Sequence, residues 1–157
     1  FAGYKKITNS VGIKIIPSGN WVVDLQRFAE AINNKVWSAT RTDMAMIGGI
    51  TNGKKAMDLS DIGGLRCEIM SWGYTLVSVA NLHLMLSSNN CSFYEQPLPY
   101  ETFEFGMHDV LRTSKDGYMH APTKPGLGVE INWDQMKTRV IHSFYCDKNK
   151  EVGLVHA

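Results

Sequence analysis

No stretch of this chain stays apolar for the roughly 20 residues that a bilayer span requires, so no membrane span is expected. An excess of one charge is lacking as well. Sixteen Lys and Arg against fifteen Asp and Glu leave a net charge of +1, which gives no electrostatic reason to expect nucleic acid or an anionic membrane as partner. Cysteine is scarce: Cys67, Cys91 and Cys146 are widely spaced and form no CxxC or Cys/His zinc pattern. That argues against a disulfide framework or a structural zinc site, and for a reducing intracellular compartment such as cytoplasm or an organelle matrix. The five histidines form no HExxH or HxH pair, which removes the commonest zinc-hydrolase readings. A charged-then-apolar amino-terminal signal is also missing. The first residue is Phe1 rather than Met, which predicts a processed or truncated chain.

What is present is core-forming material. Hydrophobic residues make up 44% of 157, enough for one domain over residues 1–157. Four short apolar runs recur: "IKIIPSG" from Ile13, "SATRTDM" from Ser38, "RCEIMSW" from Arg66 and "CSFYEQ" from Cys91, with starts 25, 28 and 25 residues apart. This period fits strand–helix units, because parallel strands need a crossover of a dozen or more residues. The intervening "WVVDLQRFAEAINNK" carries Val22, Leu25, Phe28, Ala29 and Ile32 at helical spacing. "TNGKKAMDLSDIGG" predicts a helix with Thr51 as N-cap and Gly63–Gly64 as its stop. "YTLVSVANLHLMLSSNN" is apolar on most faces and is expected to be the most buried helix, with His83 favoured as a packing residue. After Glu95 the pattern becomes irregular: "KDGY" reads as a hairpin turn, "KPGLG" as a surface loop, and "WDQMKTRVIHSFY" as a helix or a strand.

The fold class expected is α/β, a partial (β/α) barrel of about four parallel strand–helix units with an irregular carboxyl-terminal extension. Four strands cannot close a barrel that needs eight. A protein partner or homo-oligomer is therefore expected to cover the open sheet edges. Functional groups of such barrels sit at the carboxyl ends of strands. Those ends here are Ser18–Gly19–Asn20, then Arg41 and Asp43, then Glu68, Ser71 and Trp72, then Glu95 and Gln96. Asp43 alone reads equally well as a turn or capping acid, and Glu95 as partner of a nearby Arg or Lys; together, at equivalent positions, they point to function. Gly48–Gly49 could admit an anion to backbone amides, though close helix–strand packing explains the pair as well. Lys54 and Lys55 read as a solvated helix face, and Met44, Met46, Met57 and Met70 as core or mouth fillers. No calcium-loop spacing occurs in "YEQPLPYETFEFG".

With "SGNW", "RTDMAMIGGIT", "SWGY" and "FYEQP" in this order, followed by "KPGLGVEINWD", the chain resembles the carboxyl-terminal half of the barrel in the mandelate racemase branch of the enolase superfamily, from about Tyr4 to at least Trp133. The nearest subgroup is the sugar-acid dehydratase-like one. The resemblance implies one magnesium ion held by three strand-end acids and a base that removes the proton beside a carboxylate. It matches Asp43 to the acid that orients a histidine on the following strand, and Glu95 to the acid that hydrogen-bonds the substrate carboxylate or its enolate. Two departures weigh against activity. In the place of the family's glutamate ligand before "NW" stands Gly19, which has no carboxylate, or a one-residue deletion, and Trp72 stands near the place of the histidine. Early strands, their metal ligands and lysines, and the cap domain have no counterpart in this sequence. The expectation is a non-catalytic half barrel acting as a structural or interaction subunit of a larger assembly, with no cofactor held by this chain alone and Asp43 and Glu95 vestigial. The alternative is the carboxyl-terminal half of a split dehydratase, racemase or epimerase acting on a hydroxy acid, with Mg supplied once another chain completes the site.

Overall fold

The computed structural model describes residues 1–19, 22–147 and 150–156. In chain order its elements are α1 (Ala2–Ser10), α2 (Leu25–Asn33), β1 (Thr40–Thr42), α3 (Ile50–Ile62), β2 (Cys67–Ile69), α4 (Thr75–Leu86), the single turn α5 (Tyr100–Phe103), α6 (Trp133–Lys137), β3 (His142–Asp147) and β4 (Lys150–His156). β1 and β2 pair in parallel with Arg41 opposite Glu68, and β3 and β4 form a separate antiparallel hairpin. Asn20 and Trp21, which the sequence places at a strand end and a helix start, lie outside the described residues.

The parallel sheet alternates as period-2 side-chain geometry requires. Thr40, Thr42, Cys67 and Ile69 are buried on the helix-facing side, while Arg41 and Glu68 share the opposite face. Behind the sheet, α3 packs against α2, α4 and both strands, and Phe28, Val36, Trp37, Ala56, Met57 and Leu84 lie in one buried cluster. Asp24 caps α2 by accepting from the Arg27 amide at 2.7 Å, which satisfies one of the amides left unpaired at the helix start. α4 is the most buried helix, as its unbroken apolarity predicts. α3 stops at Gly63, as expected, but begins one residue before Thr51, with Gly49 as its N-cap at φ 109° and no side-chain cap.

The expectation of about four parallel strands is met in part: among the described residues two pair in parallel, and the runs from Ile13 and Cys91 lie alongside them without forming ladders. The physical reason is visible in the hydrogen bonds. Ser38 donates its amide to the Ile15 carbonyl (2.9 Å), but its hydroxyl takes the returning Ile15 amide (3.1 Å). On the other side, Cys67 donates its amide to the Asn90 carbonyl (2.9 Å). The Glu68 carboxylate then intercepts the amides of Ser92 (3.2 Å) and Phe93 (3.3 Å), and the Ser71 hydroxyl that of Glu95 (2.7 Å). Side chains thus stand where main-chain carbonyls would extend the sheet. The sequential order of the four segments is kept.

Past Glu95 the chain is largely irregular. "KDGY" forms a turn closed by Ser114 and Tyr118 (2.9 Å), with Gly117 at φ 84°, but no strands flank it. "WDQMKTRVIHSFY" supplies both of its expected alternatives in succession, α6 and then β3. α1 was not foreseen. It is fastened by edge-on contacts of Phe1 and Tyr4 to Trp37 (5.8 and 6.2 Å between centroids) and by the Thr8 hydroxyl donating to the Val36 carbonyl at 2.9 Å.

At Gly53, α3 lies close against Leu84 of α4. A Cβ there would lie 2.6 Å from a Leu84 methyl that is itself buried. Gly53→Val is accordingly expected to cost about 1–2 kcal/mol, despite removing a poor helix former, because the core has no room to repack. A urea denaturation midpoint at or above that of the parent would contradict this.

Candidate functional site

The candidate site is the end of the sheet to which β1 and β2 point. Asp43 closes β1 and is 5% exposed. Its Oδ1 accepts from the Ala45 amide (2.9 Å), fixing a turn in which the Asp43 carbonyl accepts from Met46 (3.1 Å) and Ile47 (3.0 Å). The same Oδ1 accepts from Asn81 Nδ2 at 2.8 Å. Asn81 also donates to the Met70 carbonyl (3.2 Å), and its Oδ1 accepts from the Met44 amide (3.0 Å). A fully buried residue of α4 therefore ties the ends of both strands together.

Glu95 is paired with Arg41 through Oε1 and the guanidinium. Arg41 is the strand residue facing away from the helices, so the pair sits on the face of the sheet opposite them. Two atoms of this pair, Arg41 Nε and Glu95 Oε2, are buried without a protein partner. Ser71 anchors the same place, accepting from the Glu95 amide and donating to the Glu95 carbonyl (3.2 Å). Trp72 is half-exposed and meets Phe103 edge-on, with centroids 6.2 Å apart. Asp43 and Glu95 thus come to one end of the sheet, but each is engaged by a different partner, Asn81 and Arg41.

Glu68, opposite Arg41 on the same face, accepts from Arg66 Nε at 2.9 Å as well as from the two amides named above. Burial pushes its carboxyl up, but these donors, with the Cys91 thiol, outweigh burial and hold it below the ordinary 4.5. Behind the sheet, burial pushes the Cys67 thiol up to about 11 against the opposing hydrogen bonds of Thr40 and Ser60. Burial likewise raises Cys91 to about 12. Both are free thiols. His83 meets the Leu127 carbonyl at 3.0 Å, which suits the packing role favoured for it. Lys54 pairs with Asp58 on an open helix face.

The donor set does not fit the magnesium that the resemblance implies. The resemblance puts Gly19, or a one-residue deletion, in the place of its glutamate ligand, and a Cβ on Gly19 would fall 2.9 Å from Met70 Cβ and 3.2 Å from Met70 Sδ. Any larger side chain there must first displace Met70, itself buried. Among the described residues no three His, Cys, Asp or Glu side chains converge on one point. Magnesium needs several oxygen ligands in near-octahedral array.

Sequence reasoning placed Arg41, Glu68 and Ser71 at strand ends without giving them a role, and it missed Asn81 altogether. A signal for Asn81 exists: it is the lone carboxamide inside "TLVSVANLHLML". A buried amide in an apolar helix must find partners, and the nearest unsatisfied groups are strand ends.

The family described as "Enolase C-terminal domain-like" matches residues 1–135. A "D-galactonate dehydratase family member RspA" of Pantoea ananatis is 33% identical over 122 residues, which cover 74% of this chain and 28% of that protein. Among solved structures, a "putative mandelate racemase/muconate lactonizing enzyme" from Pseudovibrio sp. superposes with a TM-score of 0.87 at 35% identity, covering all of this chain and 40% of that one. A D-glucarate dehydratase from Agrobacterium tumefaciens, complexed with magnesium, gives 0.76 at 26% identity over 87% of this chain and 36% of its own. This chain therefore spans well under half the length of the proteins it matches.

Proposed function

The chain belongs to the enolase C-terminal domain-like family, and from that premise we propose that it is a non-catalytic member, a barrel portion serving as a structural or interaction subunit of a larger assembly. The observation that carries this reading is Gly19 packed against Met70. The position that should present a metal carboxylate presents a surface with no room for one. Without a bound divalent cation, the charge of an enediolate would meet only Arg41, a guanidinium already paired with Glu95, and the strand-end acids lose their chemical context. Asp43 and Glu95 then persist as structural groups, one holding a turn and the other an ion pair. A protein partner or a second copy would cover the segment edges at Ile13–Ile16 and Phe93–Leu98, where Ile13, Phe93 and Leu98 are each 72% exposed.

Titration calorimetry with Mg²⁺ on the full chain tests the proposal. No binding is expected below millimolar concentration, and no dehydration of D-galactonate or D-glucarate. Micromolar Mg²⁺ affinity, or turnover of either acid, would overturn it.

A second reading has an observation of its own. Arg41 Nε and Glu95 Oε2 are buried without partners at the strand ends, and a donor beside an acceptor suits a hydroxy acid. In that reading the chain is the carboxyl-terminal part of a magnesium-dependent dehydratase, racemase or epimerase completed by other material. Asp43 and Glu95 would then serve proton transfer and substrate polarisation. Native mass spectrometry decides between them: co-purification of a chain bringing strand-end acids and a lysine pair favours the second.

A further inference from the structure

We infer that Asn81, a partner that cannot exchange protons, commits the Asp43 carboxylate to a structural role, making the pair a fixed clamp between the ends of β1 and β2. The hydrogen bonds define the clamp completely. Both amide protons of Asn81 are used, one on Asp43 Oδ1 (2.8 Å) and one on the Met70 carbonyl (3.2 Å), and its oxygen receives the Met44 amide (3.0 Å). The orientation of the carboxamide is set by two main-chain groups of fixed polarity: the Met44 N–H can only donate and the Met70 carbonyl can only accept. Asn81 is 0% exposed, so water cannot stand in for any of these partners. A carboxamide neither takes nor returns a proton at ordinary pH. Asp43 is therefore a positioning residue: it holds the Ala45 amide and, through Asn81, the start of the turn and the end of the neighbouring strand.

The other charged groups in reach are already committed. Arg41 and Glu95, at the same end of the sheet, are bound to each other, and Glu68 on β2 is bound to Arg66. His83, the one titratable side chain of α4, faces the Leu127 carbonyl. The turn from Met44 to Gly49 and the residues Met70 to Trp72 carry no ionisable side chain.

This inference rests on the proposed reading of Asp43 as no longer catalytic, yet its test reads something else. In Asn81→Asp, an oxygen replaces Nδ2 and faces two acceptors, Asp43 Oδ1 and the Met70 carbonyl. The site can hold only if one carboxyl keeps a proton, so the folded protein has a raised carboxyl pKa there. Stability is then present at low pH and lost as pH rises through that value. Relative to the parent, the melting temperature of Asn81→Asp is expected to fall by about 5 °C or more between pH 5 and pH 8, the scale of a change near 1 kcal/mol. Asn81→Ala loses stability but parallels the parent in pH. The exchange variant, Asn81→Asp with Asp43→Asn, restores a donor opposite a carboxylate and removes the added pH step. An Asn81→Asp protein with the parent's pH dependence overturns the inference, as does an exchange variant that keeps the step or that folds at neither pH. Magnesium binding or turnover by the parent would remove the proposed function while leaving this pH result standing, so the two failures are separable.

Discussion

Phe28→Ala is expected to remove about 3–5 kcal/mol of stability, the largest single loss in the chain. Phe28 is 0% exposed on α2 and meets Trp37 at a ring-centroid distance of 6.4 Å within the cluster that also contains Met57 and Leu84. Truncation to Ala removes most of a buried aromatic and leaves a cavity walled by helices on one side and the sheet on the other, which cannot close without moving α3. A domain of this size has about 5–15 kcal/mol in all, so the variant stands near the unfolding threshold at room temperature. Urea denaturation followed by circular dichroism measures this. A loss below 1 kcal/mol would mean that Phe28 does not sit in a fixed core.

Glu68 carries a second large expected effect. Its carboxylate joins β2 to the segment after Cys91 by accepting from Ser92, Phe93 and Arg66. Glu68→Ala removes the charged acceptor of two amides and of Arg66 Nε, groups that water can reach, for a loss of about 1–2 kcal/mol. The pH dependence has a definite sign. The folded carboxyl is held below its ordinary 4.5, so its contribution is present above that value and is lost as pH falls through the lowered folded one. Acidification from pH 6 to pH 3 should therefore destabilise the parent more than Glu68→Gln, which has no proton to gain. Equal thermal midpoint shifts for the two proteins would show that Glu68 makes no such contribution.

How much of this was readable in advance differs by element, for physical reasons. α2, α3 and α4 were legible because an amphipathic or wholly apolar run between glycine and polar punctuation leaves few alternatives. β1 and β2 were legible for the same cause, short alternating runs with a polar end. The Ile13 and Cys91 runs look identical in sequence, yet they do not complete a ladder. What separates them lies in long-range partners: Ser38, Glu68 and Ser71 intercept their amides, and sequence spacing carries no trace of that. α1 was invisible for a related reason. "AGYKKITNS" has no acidic first turn and no side-chain N-cap, and its helix depends on Phe1 and Tyr4 finding Trp37.

The candidate site divides in the same way. Asp43 and Glu95 were found by the carboxyl-end rule for parallel strands, and the structure brings both to that end. Their partners were not both foreseen. The Arg41–Glu95 pair is the plainer alternative anticipated for Glu95. The Asp43–Asn81 contact spans 38 positions and joins a strand end to the middle of a helix, a pairing that periodicity does not encode.

The thiols of Cys67 in β2 and of Cys91 beside it have a consequence for chemistry rather than for folding. A thiol reacts with alkylating agents and peroxides through its thiolate, and burial lifts Cys67 to about 11 and Cys91 to about 12. At neutral pH both are almost wholly protonated, and Cys67 is also sealed behind the helices. The folded chain thus keeps both sulfurs mostly as thiols, and covalent modification at the sealed Cys67 becomes a record that this part of the sheet has opened.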